Sequence, residues 1–234
     1  MPTDINLHSI QADILTRLLF AKELRFSEIF KGYDFGSDLF NFHLKRLVSN
    51  GLIEKNEKGK YQLTPKGKEF ANRMDTQIKK VERQPKVGIL VVCVRKKNGE
   101  RQYLTQQRLK QPYFGFLGFI TGKIRWGEEA TETAERELFE ETGLSGNLKF
   151  VGIEHKTDYS KKGDLLEDKF FFVFKATALT GKFINSFQGG KNVWMTEAEI
   201  RKTKLRFLDI DLLINMAKAT KLSFVERKYS EASY

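Results

Sequence analysis

The 234-residue sequence has a single cysteine, Cys93, so neither a disulfide nor a multi-cysteine zinc site can form within one chain. Cys93 lies in the apolar run from Val87 to Val94, which marks it as a small buried side chain rather than a reactive thiol. No run of about 18 apolar residues is present to span a bilayer. The opening MPTDINLHSI lacks the basic flank and apolar stretch of a signal peptide, and the expected location is therefore the cytoplasm. Internal repeats and low-complexity tracts are also missing.

Positive charge is plentiful. The 41 Lys and Arg outnumber 30 Asp and Glu, for a net charge of +11, and 40% of residues are hydrophobic, enough to bury one large core or two small ones. An acidic partner is implied, and nucleotides, nucleic acids and anionic membranes all satisfy that requirement. Residues 1–85 carry 15 Lys and Arg against 11 Asp and Glu, net +4, leaving +7 for the remainder, so neither half is a dedicated basic tail.

Two domains can be read along the chain. Leu7, Ile10, Ile14, Leu18 and Leu19 have the spacing of an amphipathic helix over residues 7–21, and a short helix fits Arg25 to Phe30. Ser37 is the expected N-cap of a third helix, Asp38 to Ser49, ended by Asn50-Gly51. Strands are expected over Leu52 to Lys55 and Lys60 to Leu63, around a charged tip containing glycine. Thr64 to Gln84 is helix-compatible after Pro65, and Pro85 interrupts it, which places the boundary near residues 80–86.

Three helices followed by a hairpin, with the segment HLKRLVSNGLIEKNEKGKYQLTPKGKEF, resemble a winged helix-turn-helix over roughly residues 5–80. The resemblance implies duplex-DNA contacts from Asn41, His43, Lys45 and Arg46 on the third helix and from Lys55, Lys58 and Lys60 on the wing. Winged helices also serve in dimerisation and protein docking, and that alternative stays open.

The segment GKIRWGEEATETAERELFEETGL, Gly122 to Leu144, carries the chemistry. It has no Gly or Pro between Gly127 and Gly143, so a helix is expected from Glu128 to Thr142, closed by Gly143. At about 100° per residue, Glu137, Glu140 and Glu141 share an arc of roughly 100°, with Glu128, Glu132 and Glu135 pointing away. Like charges at this spacing repel unless a hard cation neutralises them, and oxygen-only ligands favour Mg²⁺ or Mn²⁺. The segment resembles the Nudix box, G-x5-E-x7-R-E-U-x-E-E-x-G-U with U aliphatic, at Gly122, Glu128, Arg136, Glu137, Leu138, Glu140, Glu141, Gly143 and Leu144.

That resemblance implies metal binding and catalysis by Glu137, Glu140 and Glu141, with Arg136 orienting a carboxylate and Gly122 passing close to the site. It implies hydrolysis of a diphosphate linkage in a nucleoside diphosphate derivative; the alternative is a transcriptional regulator sensing a nucleotide on the same fold. A further base is expected from Asp158, Asp164, Glu167 or Asp168. Arg108, Lys123 and Arg125 are candidate phosphate contacts, and Tyr113, Phe114, Phe116, Trp126 and Trp194 candidate stacking surfaces. One departure from the family pattern is Ile120-Thr121-Gly122 in place of the common Pro-Gly-Gly, which leaves substrate choice open.

Strands are expected at Val87 to Arg95, Arg101 to Arg108, Leu148 to His155 and Lys169 to Lys175, and helices at Thr196 to Lys202 and Leu208 to Ala217. The expected fold class is α+β: a winged-helix domain over residues 1–82, then a Nudix mixed-sheet α/β/α sandwich over residues 86–234. The partners expected are a nucleoside diphosphate-type small molecule and duplex DNA, without a membrane and with homodimerisation left open.

Overall fold

Helix α1 (Ser9–Leu19) begins at His8, whose Nδ1 accepts the Ile10 amide at 3.2 Å while the Gln11 side chain takes the His8 amide at 3.0 Å. Two donors that the first turn would leave orphaned are thereby satisfied. The computed structural model describes residues 7–81 and 83–230; residues 1–6, 82 and 231–234, among them the outer ends of both expected domains, lie outside the described residues. Two compact units result, Met1–Gln84 and Pro85–Tyr234.

In the first unit α1 is followed by α2 (Phe26–Phe30) and α3 (Ser37–Ser49). The N-cap of α3 is Gly36 and not the expected Ser37, which becomes the first helical residue. Glycine serves at that position because its bare backbone leaves the first amides open to water. Strands β1 (Ile53–Lys55) and β2 (Tyr61–Leu63) pair antiparallel as the wing. Thr64 Oγ1 accepts the Gly67 amide at 2.9 Å and Pro65 occupies the first turn, starting α4 (Pro65–Asn72).

The helix expected to run toward Gln84 stops at Asn72 and gives way to a hairpin of β3 (Met74–Asp75) and β4 (Lys80–Val81). Asp75 Oδ1 accepts the amides of Gln77 and Ile78 at 2.7 and 2.9 Å, a local turn that competes with the helical ladder. Ile14, Leu15, Leu18, Phe40, Leu44, Leu47 and Leu52 form the core beneath these elements.

The second unit is built on β5 (Lys86–Lys97), β6 (Glu100–Arg108), β7 (Leu117–Gly118), β8 (Ile120–Lys123), α5 (Ala130–Thr142), β9 (Leu144–Tyr159), β10 (Leu165–Gly181), β11 (Ser186–Phe187), β12 (Gly190–Met195), α6 (Glu197–Lys202), α7 (Ile210–Lys218) and β13 (Ser223–Ser230). The sheet order is β11-β12-β6-β5-β10-β9-β13, with β7 added to β6 and β8 to β5. It is mixed: β10 runs parallel to β5 and β13 to β9, while the other pairs are antiparallel.

Alternation along β5 shows why helices cover both faces. Ile89, Val91 and Cys93 pack with Ala134 and Leu138 of α5, whereas Leu90 and Val92 pack with Leu213, Ile214 and Ala217 of α7. The result is the α/β/α sandwich, with Cys93 fully buried and its thiol pushed well above the ordinary range by that burial. Among the described residues no helix is long and apolar enough to cross a membrane.

His155 ties three strands together. Its Nε2 lies 2.9 Å from Asp168 on β10, its Nδ1 2.9 Å from Glu226 on β13, and its ring stacks on Phe170 at 4.0 Å. The hydrogen bond to Glu226, aided by that to Asp168, raises the imidazole pKa above its usual value. The cationic form is thus favoured by folding, and its contribution to stability is fully present below about pH 6.5 and lost as pH rises through the higher folded value. Accordingly, His155→Gln should lower the melting temperature more at about pH 6 than at about pH 9. Equal losses at both pH values would show that the imidazolium adds nothing to the strand junction.

Candidate functional site

The site begins where β8 crosses α5. A Cβ on Gly122 would lie 2.1 Å from Glu137 Cγ and 2.5 Å from its Oε1, so glycine is what lets the strand pass over this carboxylate. Gly88 is compressed on the other side, where a Cβ would meet the Gly122 carbonyl oxygen at 2.5 Å. Helix α5 starts at Ala130 with Glu129 as N-cap, two residues later than expected, and closes at Gly143 with φ +70° and its amide on Phe139 O.

Arg136 organises the carboxylates. Its Nε and Nη2 grip Glu128 at 2.6 and 2.9 Å, while Nη1 reaches Glu137 at 2.7 Å and Glu140 at 3.2 Å. Glu128, which helical spacing directs away from the other carboxylates, is instead gathered to them because it precedes the helix and lies in the loop. There its carboxylate also accepts the Arg125 amide at 3.1 Å. The Arg136 hydrogen bond holds the Glu128 carboxyl at about 2.

Glu141 is buried and accepts a hydrogen bond from Gln106 at 2.9 Å. Burial, with a smaller push from the Glu137 charge, raises it to about 7 against the opposing hydrogen bond from Gln106. Glu140 is half exposed. The three carboxylates are thus divided between Arg136 and Gln106, and among the described residues no three His, Cys, Asp or Glu side chains form a ready cation cage. The donor set nonetheless fits a hard divalent ion: it consists of oxygens, Gly122 leaves Glu137 room, and Glu141 is a buried carboxyl whose charge a cation would compensate.

Glu137 and Glu141 open onto a cavity of about 690 Å³ that is also lined by Arg108, Lys123 and Arg125. Arg108 is partly committed, since its Nε donates to Lys110 O at 3.0 Å and Pro112 O at 2.5 Å and its Nη2 to Gln111 O at 3.3 Å, clamping that loop. Of the four acidic candidates for a further base, Glu167 lines the cavity. Asp158 is buried beneath it, accepting from Tyr113 Oη at 3.0 Å and Lys169 at 3.2 Å. Asp164 sits in an exposed turn with Ser160, and Asp168 holds His155.

Among the aromatic residues, Tyr113 lines the cavity and Phe116 is buried against it, while Phe114 and Trp126 are exposed and Trp194 lies under Arg95. Sequence reasoning passed over Gln106, Lys110, Lys156, Lys169, Phe171, Phe207 and Asp209, all in the cavity wall. A signal existed in strand register: Lys86, Lys169 and Lys156 are direct neighbours across β5, β10 and β9.

In the first unit Lys45 and Arg46 are exposed on α3, Lys55 and Lys58 are exposed on the wing, and Asn41 is half-buried. His43 does not belong with them. It is buried and stacked on His8 at 4.3 Å, and burial, then the neighbouring His8, lowers its pKa, so its ring serves the packing of α1 on α3. Lys60 is also drawn inward, to Glu23 Oε1 at 2.7 Å. Glu23 Oε2 accepts from Asn56 at 2.6 Å, and Asn56 Oδ1 in turn accepts the amides of Lys58 and Lys60, so the wing tip is clamped from its base.

Comparison with known proteins agrees with this architecture. The NUDIX domain family matches residues 84–216 and a winged helix-turn-helix family matches residues 7–82. The chain is similar to a mutator MutT protein from Bacillus halodurans, at 24% identity and a TM-score of 0.51 over 62% of this chain and 90% of that one. It is also similar to the NUDIX domain of Shewanella oneidensis NrtR complexed with ADP ribose, at 18% identity and a TM-score of 0.49 over 64% and 95% of the two chains. NrtR from the same organism complexed with a 27mer DNA matches at 18% identity and a TM-score of 0.43, over 56% of this chain and 60% of that one. No curated protein matches the chain. With more than half of its length matched by one domain model, this chain belongs to the Nudix family, and it carries a winged helix-turn-helix domain ahead of its Nudix domain.

Proposed function

We propose that the protein is a hydrolase that cleaves the diphosphate linkage of a nucleoside diphosphate derivative. The observation that carries this reading is the opening of Glu137 and Glu141 onto the same cavity as Lys123 and Arg125, with Gly122 pressed on Glu137 between them. Glu137, Glu140 and Glu141 would hold Mg²⁺ or Mn²⁺, which when bound neutralises diphosphate charge and lowers the pKa of water. Arg136 keeps Glu137 and Glu140 on one side of α5 and fixes the loop through Glu128. Lys123 and Arg125 meet phosphate oxygens, and Arg108 holds the loop that borders them. Glu167, at the cavity wall, receives the proton of the attacking water as a bridging P–O bond breaks and the phosphate-bearing group leaves.

Glu141→Gln keeps the shape of the side chain and removes its charge. Turnover should fall by orders of magnitude, stabilisation by added Mg²⁺ should shrink, and the metal-free melting temperature should stay level or rise as repulsion from Glu137 is relieved. Wild-type turnover together with wild-type Mg²⁺ stabilisation in this variant would remove Glu141 from the ligand set. A coupled phosphate-release screen over nucleoside diphosphate derivatives supplies the substrate for the assay.

A second reading, regulation through DNA, is favoured by one observation: Lys45, Arg46, Lys55 and Lys58 are all exposed on the third helix and wing. Residues 1–82 would then act as a DNA-binding domain beside a nucleotide-responsive domain over residues 86–234. Lys55→Ala with Lys58→Ala should weaken duplex binding across sequences and flatten its salt dependence by up to about one unit of slope per contact. Lys60→Ala should instead chiefly loosen the wing, because its ammonium is spent on Glu23. If affinity and slope are unchanged in the double variant, the wing does not bind phosphates and a docking role takes its place.

A further inference from the structure

The cavity wall also holds charge outside the carboxylates of α5 and the candidate phosphate contacts. Lys156 Nζ lies 2.6 Å from Asp209 Oδ2 and 3.5 Å from Asp158 Oδ1, and both members of the closer pair are buried, at 2% and 5% exposure. Asp209 is the N-cap residue of α7, where a carboxylate ordinarily accepts an amide of the first turn, yet its side chain makes no cap hydrogen bond. It turns to Lys156 instead, and Oδ1 takes no hydrogen bond among the described residues. Of the three ammonium donors of Lys156, one is used at hydrogen-bonding distance. A spare acceptor and spare donors therefore stand side by side, and both residues line the cavity.

The surroundings are flat and apolar. Phe207 lies under the Lys156 ammonium at 4.8 Å and meets the Tyr113 ring at 5.2 Å, and Phe171 also lines the cavity. A phosphate placed here would face the Asp209 and Asp158 carboxylates and would have to strip Lys156 from them, leaving buried charges unpaired. An uncharged planar group with adjacent donor and acceptor exchanges hydrogen bonds with the pair and stacks on the rings without that penalty.

We propose that Lys156 and Asp209, walled by Phe171, Phe207 and Tyr113, recognise the base of the substrate and so set which nucleotide the cavity accepts. The inference rests on reading the cavity as a nucleotide site and adds which end takes the base: phosphates lie toward Lys123 and Arg125, and the heterocycle lies toward α7.

The test is equilibrium binding by calorimetry, without metal and without turnover, of AMP, GMP, CMP, UMP and ribose 5-phosphate. At least one nucleotide should bind wild-type protein about tenfold or more tighter than ribose 5-phosphate. Asp209→Asn replaces one acceptor by a donor and should change the ratio between the best and the other bases by about tenfold, leaving ribose 5-phosphate within about twofold. Because that variant takes away the closer of the two carboxylate partners of Lys156, the double variant Lys156→Met with Asp209→Leu is measured beside it. It removes both charges together, should remain folded by near-UV circular dichroism, and should bind all four nucleotides equally.

Equal wild-type affinity for ribose 5-phosphate and the nucleotides would overturn the proposal, as would no binding at all. An unchanged base ranking in the folded double variant would reduce the pair to a structural bridge and overturn it too. Base-selective binding in a protein that hydrolyses nothing would sink the hydrolase reading while upholding this site.

Discussion

The arrangement of carboxylates in the second unit depends on one guanidinium. Arg136 is the residue through which the loop before α5, the buried edge of the helix and its exposed edge are held in a fixed relation, because it contacts Glu128, Glu137 and Glu140 at once. A planar cation with five donors can do this where a lysine could not. Its location on the same helix as two of its partners means the arrangement survives movement of α5 as a body. The exposed members of such a cluster add little to stability, so what the arrangement supplies is geometry: it spaces like charges that would otherwise splay apart.

The close approach of β8 to α5 imposes the complementary constraint from the sheet side. Gly88 and Gly122 sit in register neighbouring positions on β5 and β8, and neither tolerates a Cβ at the present spacing. β5, β8 and the Glu137 side chain therefore approach closely at this point, and apolar residues pack on either side of β5. Chain segments far apart in sequence are brought to this spot by the parallel pairing of β10 with β5, which carries Lys169 beside Lys86 and so builds the cavity wall from residues with no local relation.

This distinction decides how much could be read from the sequence. The box from Gly122 to Leu144 is local, and helical periodicity put Glu137, Glu140 and Glu141 on one face before any fold was known. The periodicity failed at Glu128 because that residue lies outside α5, and it failed after Asn72 because the Asp75 side chain rewards a turn. Strands were legible where apolar residues are dense, as along β5, but β13 (SFVERKYS) is an edge strand half open to water, and β7 and β11 are two residues long. Lys156 and Asp209 carry no local signal in sequence, since only the pairing of β9 with β10 and the return of α7 enclose them. His43, between Phe42 and Leu44 in sequence, reads more readily as a structural residue than as a DNA contact, and its ring packs on His8.

The Glu23 clamp on the wing carries a consequence for energetics of contact. A free hairpin tip would lose conformational freedom when it settles against a rigid charged surface, and every ordered side chain subtracts from affinity. Here Asn56 and Lys60 are already fixed by Glu23, and the tip backbone is already held by Asn56. Ordering has been completed during folding, so the wing tip beside Lys55 and Lys58 is held in one shape by the chain's own bonds.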